Sequence, residues 1–251
     1  MKRIITTYTV RSPKIPGKLR LAAAPDIHSS AYADILDTLA RCDALLIPGD
    51  LVDRHRRDNS LAYRFLREVP EILPVFYSLG NHEVKYRRAG EFLAAVKESK
   101  ATLLRDESCG FRGIRIGGLS SRKEGPPDTA FLDAFEHEEG FRLLLCHQPE
   151  VYRDYVRGRG IDFTVCGHAH GGQVQFFGRG LYAPGQGIFP RLTHGVHDSG
   201  KMMISRGMTN AAKPRIPRIN NPCELIILEL ENDEGGIPDG PGGHQTAGGL
   251  V

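Results

Sequence analysis

Side chains that bind metal ions or transfer protons recur in this sequence at the ends of short apolar runs. They are Asp26 and His28, Asp50, Asn81 and His82, His147, and His168 and His170. All of them offer oxygen or imidazole nitrogen atoms, and none offers a thiolate. Carboxylate and imidazole groups bind divalent ions such as manganese, iron and zinc, so five separate places in the chain supply suitable donors.

Each of these motifs alone has a simpler explanation. The aspartate of Asp26-Ile27-His28 is a common capping residue, and Gly80-Asn81-His82 is typical of a turn, because asparagine tolerates left-handed backbone. The stretch VCGHAHGGQ (165–173) is compatible with a metal site, a phosphate-binding loop or a flexible turn. Their joint occurrence, each at the end of an apolar run, favours a metal site.

The number of donors indicates more than one ion. Asp26/His28 and His168/His170 have i, i+2 spacing, which in extended backbone places both side chains on one face, so that each pair serves one cluster. Seven donors exceed the four of a tetrahedral site. They suit two divalent ions about 3.5–4 Å apart that share a carboxylate, lower the pKa of a bridging water and assist in-line displacement at phosphorus. The residues alone therefore predict a dinuclear metallohydrolase.

The elements that position these donors follow from hydrophobic periodicity. Apolar runs bounded by Gly, Pro, Asp or Asn predict strands, and apolar residues at helical spacing predict helices between them. The predicted strands are Leu19–Pro25, Ala44–Ile47, Leu73–Leu79, one or two within Phe111–Leu119, Phe141–Cys146, Ile161–Cys166, Lys201–Ser205 and Glu224–Leu230; the predicted helices are Tyr32–Arg41, Asn59–Val69 and Ala89–Lys97. This alternation predicts an α/β or mixed α+β sheet protein, and open sheets bind ligands at the carboxyl ends of strands, where the donors fall.

Composition excludes several classes of function. A net charge of +3 over 251 residues is too small to indicate a nucleic-acid partner. No apolar run approaches the about 18 residues of a membrane-spanning helix, and no apolar block near the amino terminus resembles a signal peptide, which predicts a cytoplasmic protein. Five cysteines without a CxxC pair argue against a disulfide framework and a thiolate zinc site. We expect a single domain over 1–231 and a disordered Gly/Pro-rich tail over 232–251.

In order along the chain, the motifs DIH, GDLVD, GNHE, CH and GHAH resemble those of the calcineurin-like metallophosphoesterases, from Leu19 to Leu230. The resemblance implies a four-layer αββα sandwich with two metals at the strand ends of its central sheets. It implies that Asp26, His28 and His170 bind one metal, that Asn81, His147 and His168 bind the other, and that Asp50 bridges them. VCGHAHGGQ would then straddle the two ions, and its glycines would bring the backbone close to the site.

The same resemblance implies roles next to the reacting group. His82 matches the histidine that contacts the substrate phosphoryl group and protonates the leaving oxygen. Asp53 matches the carboxylate that orients this histidine in some members, and some relatives bind phosphate with an arginine at the position of Arg54. Glu83 is expected to act outside the ligand set. The implied activity is hydrolysis of a phosphate ester or pyrophosphate bond by a metal-bridging hydroxide, with two divalent ions, manganese, iron or zinc, as cofactors.

The motif GHAHGGQ, with the later SRGM, PRI and NPCELIILEL, is similar to a bacterial branch that contains cell-envelope phosphoesterases. Some of these cleave the pyrophosphate of a UDP-diacylglucosamine lipid precursor. This implies a small phosphorylated substrate, such as a nucleotide-sugar or lipid-linked pyrophosphate. Two alternatives stay open: a DNA-processing nuclease, which calls for a broad basic surface, and a non-catalytic scaffold that retains the fold.

Overall fold

A computed structural model describes residues 3–210 and 216–233, together with the backbone of 246–248. Two β-sheets dominate it. The first contains, in spatial order, Thr246–Gly248 (β17), Arg3–Arg11 (β1), Cys223–Glu231 (β16), Leu19–Ala23 (β2), Ala44–Pro48 (β3), Val75–Ser78 (β4) and Thr102–Leu103 (β5). The second contains Gly195–His197 (β14), Met202–Ile204 (β15), Phe163–Cys166 (β9), Phe141–Cys146 (β8), Ile114–Leu119 (β7) and Glu107–Phe111 (β6).

Each sheet has a parallel centre built from short, mostly apolar runs. The strands β2, β3 and β4 pair in parallel in the first sheet, and β7, β8 and β9 do so in the second. Nearly all of their residues are buried, because a strand that is covered on both faces has no side for polar residues. Since parallel strands end at the same edge, the loops that follow neighbouring strands lie together.

The two sheets pack face to face and helices cover their outer faces. Leu46 and Phe76 of the first sheet share an apolar core with Leu143 and Val165 of the second. A second core lies under the helices Leu36–Leu39 (α1), Ser60–Glu68 (α2), Asn81–Val84 (α3) and Ala89–Glu98 (α4), and a third under Thr129–Phe135 (α5), Pro149–Val151 (α6) and the π-helical turn Tyr152–Val156. The architecture is the expected four-layer αββα sandwich.

Helix α2 illustrates how the sequence fixes one face against a sheet. Ala62, Phe65 and Leu66 are buried at helical spacing. On the opposite side Arg64 donates to Glu68 four residues later, at 2.6 Å between Nε and Oε1. The predicted helix Asn59–Val69 is thereby confirmed to within a residue of each end.

The structure departs from the sequence-based expectations at several places. The first strand, β1, is not predicted, although its run RIITTYTVR is rich in β-branched residues, and it pairs in parallel with β16. The expected helix Tyr32–Arg41 is reduced to the 3₁₀ turn Ala33–Ile35 and the single turn α1, since the chain enters β3 soon afterwards. The stretch Phe111–Leu119 belongs to the hairpin β6–β7, whose turn residues both have positive φ.

The predicted tail, 232–251, lies largely outside the described residues. Within it, the backbone of Thr246–Gly248 pairs antiparallel with β1. Without this pairing β1 would be the edge strand of the first sheet, and an edge strand readily accepts another strand.

Between β9 and β14 the chain forms two small hairpins. Gln175–Phe176 (β10) pairs with Arg179–Gly180 (β11), and Tyr182–Ala183 (β12) pairs with Gly187–Ile188 (β13). Residues 173–194 are called the hairpin insertion below. Among the described residues, no helix has the length and apolarity needed to cross a bilayer.

Candidate metal centre

The predicted donors come together at the carboxyl ends of strands from both sheets. Asp26 and His28 follow β2, Asp50 follows β3, Asn81 and His82 begin α3 directly after β4, His147 follows β8, and His168 and His170 follow β9. Asn81 is half-buried, and the other seven side chains belong to residues no more than 7% exposed. The first sheet supplies five of these residues and the second supplies three histidines.

Asp26, His28 and His170 form the first group of donors. Asp26 Oδ1 lies 3.7 Å from His28 Nε2 and 3.8 Å from His170 Nε2. One donor atom from each residue lies within 4.8 Å of the other two. These separations are too long for hydrogen bonds, whereas ligand atoms about 2.0–2.2 Å from a shared ion lie roughly 3–4 Å apart.

Asp50, His147 and His168 form the second group, with Asn81 beside it. Asp50 Oδ2 lies 3.1 Å from His147 Nε2, and Asn81 Oδ1 lies 3.0 Å from the same nitrogen. The same Asp50 oxygen is 3.8 Å from His28 Nε2 of the first group. Asp50 therefore faces both groups.

The turn VCGHAHGGQ divides its two histidines between the groups, His170 in the first and His168 in the second. The expectation that i, i+2 spacing keeps a pair in one cluster is wrong here, because the backbone is not extended: φ is +67° at His168 and +48° at His170. Asp26 and His28 also have positive φ, +57° and +45°. They face each other through the geometry of a turn rather than through strand alternation.

Left-handed backbone at these positions is held by hydrogen bonds between loops. Asp50 has a φ of +59°, and such conformations cost about 1–3 kcal/mol each in non-glycine residues. The His168 amide donates to Asp26 Oδ2 at 2.9 Å, and the His82 amide donates to Asp50 Oδ1 at 2.8 Å. Each carboxylate thus uses one oxygen to fix a neighbouring loop and leaves the other directed at the donors.

Glycines allow these loops to approach each other. A Cβ at Gly167 would lie 2.6 Å from Pro25 Cβ and 2.7 Å from Asp26 Oδ2, and a Cβ at Gly80 would lie 2.6 Å from the Asp50 amide nitrogen. No side chain fits at either position without movement of the site. The expectation that glycine brings the backbone of VCGHAHGGQ close to the site is confirmed at Gly167.

Buried polar atoms of the first group fit a bound cation. Asp26 Oδ1 and both ring nitrogens of His28 are buried and make no hydrogen bond with the described residues. Buried polar atoms without partners are costly and rare, so these atoms are expected to serve a ligand. Since they are a carboxylate oxygen and imidazole nitrogens, the donor chemistry fits a divalent metal ion.

Two histidines are held by main-chain carbonyl groups in the orientation that metal binding requires. His147 Nδ1 lies 2.8 Å from the Pro48 carbonyl oxygen, and His170 Nδ1 lies 3.1 Å from that of Thr209. A carbonyl oxygen only accepts, so each Nδ1 carries a proton, and Nε2 is the nitrogen that can bind an ion when the ring is neutral.

Burial and neighbouring charges set the protonation of the histidines. Burial lowers the pKa of His170 to about 4, and burial together with the charge of His147 lowers that of His168 to about 3. Burial alone would also lower the pKa of His147, but the adjacent Asp50 carboxylate overrides it and raises that pKa to about 10. Although burial opposes its ionisation, His147 in turn holds the pKa of Asp50 well below its usual value.

His82 lies beside both groups, and its ring centroid is 4.5 Å from that of His28. The Arg54 amide donates to His82 Nδ1 at 3.1 Å, and Asp53 Oδ1 lies 3.3 Å from the same nitrogen. Because an amide only donates, neutral His82 carries its proton on Nε2, which is 3.9 Å from Asp50 Oδ2. The guanidinium of Arg54, for which the sequence predicts phosphate binding, donates through Nε to His55.

Glu83 joins the loop after β3 to the start of α3. Its buried carboxylate accepts hydrogen bonds from the amides of Asp50 at 2.9 Å, Val52 at 3.1 Å and Gly80 at 2.7 Å. Burial and the Asp50 charge raise the pKa of Glu83. Glu83 belongs to none of the donor groups and positions the loop that carries Asp50, in line with the expected role outside the ligand set.

Two residues that the sequence analysis did not single out support the turn around His170. Asn221 Nδ2 donates to the carbonyl oxygens of His170 at 2.7 Å and Gln173 at 2.9 Å. Arg218 Nη2 donates at 3.0 Å to the Thr209 carbonyl that also contacts the His170 ring. Arg218 lies in a PRI stretch and Asn221 in the NPC stretch. Both stretches were noted in the sequence because they resemble those of related proteins, but no structural role was predicted for them.

The family model of the calcineurin-like phosphoesterases matches residues 19–172, which include every donor described above. The chain therefore belongs to the calcineurin-like phosphoesterase family. It is accordingly a hydrolase that acts on phosphate esters.

Curated relatives agree with this assignment. The chain is 26% identical to the uncharacterised protein YpbG of Bacillus subtilis (strain 168), over 84% of this chain and 82% of YpbG. It is 23% identical to an uncharacterised metallophosphoesterase of Aquifex aeolicus (strain VF5), over 90% of this chain and 91% of the relative. It is 27% identical to the phosphodiesterase YaeI of Escherichia coli (strain K12), over 60% of each chain.

Proposed function

We propose that the protein is a two-metal phosphoesterase whose ions are divided between the two donor groups. Asp26, His28 and His170 would hold one ion, Asn81, His147 and His168 the other, and Asp50 would bridge them. The observation that carries this proposal is the position of Asp50 Oδ2, 3.1 Å from His147 Nε2 and 3.8 Å from His28 Nε2. A single carboxylate oxygen between two sets of imidazoles is suited to two ions rather than one.

When bound, two such ions supply an activated water for attack on phosphorus and neutralise charge on the phosphoryl oxygens. The residues of the chain hold the ions and control a proton. We propose that His82, protonated on both ring nitrogens with Asp53 3.3 Å from Nδ1, donates the Nε2 proton to the leaving oxygen and ends as a neutral imidazole. On the other side of the ring, the Arg54 amide donates to Nδ1 when the ring is neutral, and Asp53 is placed to accept from Nδ1 when that nitrogen is protonated. A role for the Arg54 side chain in binding phosphate stays a prediction.

Manganese, iron and zinc all suit the mixed carboxylate and imidazole donors, and metal availability often decides among them. Within the phosphate esters, we propose a small phosphorylated substrate and, more finely, a nucleotide-sugar or lipid-linked pyrophosphate. The motifs after GHAHGGQ support this finer proposal. A cytoplasmic location is likewise a prediction from the sequence. The presence of all eight donor and proton-transfer side chains disfavours the non-catalytic scaffold.

The direct test combines metal analysis with model substrates. Protein purified without chelators should contain two ions per chain, and Asp50→Asn should lose metal and activity together. His137 is exposed and lies in the turn after α5, so His137→Ala is a matched control that should keep both. Unchanged metal content in Asp50→Asn would contradict the bridging role.

Rates on nitrophenyl phosphate, bis(nitrophenyl) phosphate and UDP-glucose then separate the substrate classes. A preference for UDP-glucose supports the pyrophosphate proposal, and activity confined to the diester refutes it. Salt-sensitive binding and cleavage of DNA would favour the nuclease alternative instead.

A further inference from the structure

The hairpin insertion, residues 173–194, concentrates the exposed apolar side chains of the protein. Phe177 is 93% exposed, Ile188 75%, Phe189 71% and Phe176 64%. Among the described residues, the next most exposed large apolar side chain is Ile219 at 49%. Large apolar side chains that cluster in solvent mark a surface that contacts something else.

The backbone of the insertion is strained at two of these exposed residues. Phe177 has a φ of +48° and Phe189 a φ of +53°, in the left-handed region that bulky residues avoid. Phe177 lies in the turn between β10 and β11, and its ring meets that of Phe176 with centroids 4.7 Å apart. Strained backbone of this kind is concentrated at functional sites.

The insertion is also free of acidic residues. No Asp or Glu occurs between Asp162 and Asp198. Arg179 and Arg191 form no ion pair within the described part of the chain. Exposed apolar side chains and arginines without an ion pair therefore lie in the same short segment.

A cavity opens beside this surface. It has a volume of about 490 Å³, and its lining includes Phe189 and the arginines 153, 157 and 191. Arg153 pairs with Asp154, and Arg157 pairs with Asp198, so Arg191 is the arginine there with a charge available to a ligand. A cavity with apolar walls and a basic rim suits the headgroup region of an anionic amphiphile.

We propose that the hairpin insertion docks the protein on bilayers that contain anionic lipid. Phe176, Phe177, Ile188 and Phe189 enter the interface, where aromatic side chains are favoured, and Arg179 and Arg191 lie among the anionic headgroups. Charge favours this occupant, because the insertion carries Arg179 and Arg191 and no acidic residue, which complements anionic headgroups. Because the insertion begins just after His170, docking brings the metal centre to the bilayer surface. The proposal needs no catalysis and does not rest on the proposed reaction.

Cosedimentation of the full chain with vesicles tests it. The protein should bind phosphatidylglycerol vesicles and bind phosphatidylcholine vesicles much less. The variant Phe176→Ser/Phe177→Ser should bind at least about tenfold more weakly, since burial of one phenylalanine is worth more than one tenfold step. Arg179→Glu/Arg191→Glu should lose the preference for the anionic lipid, because each basic residue near such a surface contributes about fivefold.

Two controls carry equivalent changes on surfaces away from the insertion. Ile72 is 43% exposed after α2, and Arg41 is exposed after α1, so Ile72→Ser and Arg41→Glu should bind like the original protein. Absence of binding to phosphatidylglycerol vesicles, or equal loss in Ile72→Ser, overturns the proposal. It is also overturned by a concentration-dependent dimer that the two phenylalanine substitutions abolish, because the surface then serves a second copy of the chain.

Discussion

Removal of the Glu83 carboxylate should destabilise the fold and the metal centre together. In Glu83→Ala the amides of Asp50, Val52 and Gly80 lose their acceptor in a site that is 2% exposed. A buried amide without a partner costs about 1–3 kcal/mol, and three of them give a loss of about 3–9 kcal/mol in the free energy of unfolding. That loss is a large share of the about 5–15 kcal/mol that holds a domain folded.

Urea unfolding of the ion-free protein measures this loss of stability, and calorimetric titration with Mn²⁺ measures the loss of metal affinity. Glu83→Gln keeps an acceptor oxygen for the Asp50 and Gly80 amides but turns an NH₂ toward Val52, so we expect an intermediate loss. Glu91 provides a matched control, because its carboxylate pairs with Arg88 on an exposed surface, and Glu91→Ala should change stability by less than about 0.5 kcal/mol. A loss in Glu83→Gln as small as that of the control would refute the reasoning.

Three further predictions follow from the geometry of the site. Gly80→Ala places a Cβ 2.6 Å from the Asp50 amide nitrogen. It should lower the free energy of unfolding in urea by about 1–3 kcal/mol and weaken metal binding. A Cβ at Gly17 has nothing within 4 Å, so Gly17→Ala should change neither quantity. His82→Ala should keep both ions by metal analysis but lower kcat by about 10²–10⁴-fold, and near-normal turnover would exclude a proton-donor role. The pKa of His147 is about 10 in the ion-free protein because of the Asp50 carboxylate. Metal binding near neutral pH should therefore release about one proton or more, and affinity should rise with pH up to that value. Calorimetry in buffers of different ionisation enthalpy measures the release, and binding without release would contradict it.

The donors of the site could be predicted from the sequence because each follows an apolar run that is buried on both faces. The strand before Asp50, for example, is fully buried, so its boundaries are visible in the hydrophobic pattern. The chemistry of the donors then limited the site to divalent ions. The division of His168 and His170 between two groups did not follow from spacing, because it depends on left-handed backbone that the sequence pattern does not report.

Residues that act through the main chain were harder to predict. Asn221 supports the His170 turn from a position 51 residues away, and no local pattern encodes such a contact.

The exposure of Phe177 could not be predicted either, because a short apolar run with aromatic residues predicts burial as readily as exposure. The strand β1 was missed for a different reason: its pattern resembles a strand, but its half-buried positions give no clear alternation.

The division of the donors between two sheets has a consequence for biosynthesis. The five donor and proton-transfer residues of the first sheet are synthesised well before the three histidines of the second. A nascent chain that has reached only His82 holds five of the eight residues. The second donor group is complete only when His168 has been made, and the first only when His170 has been made. Metal ions can therefore be bound only late in synthesis. A bound pair of ions would then hold together residues of the two sheets that are synthesised at different times.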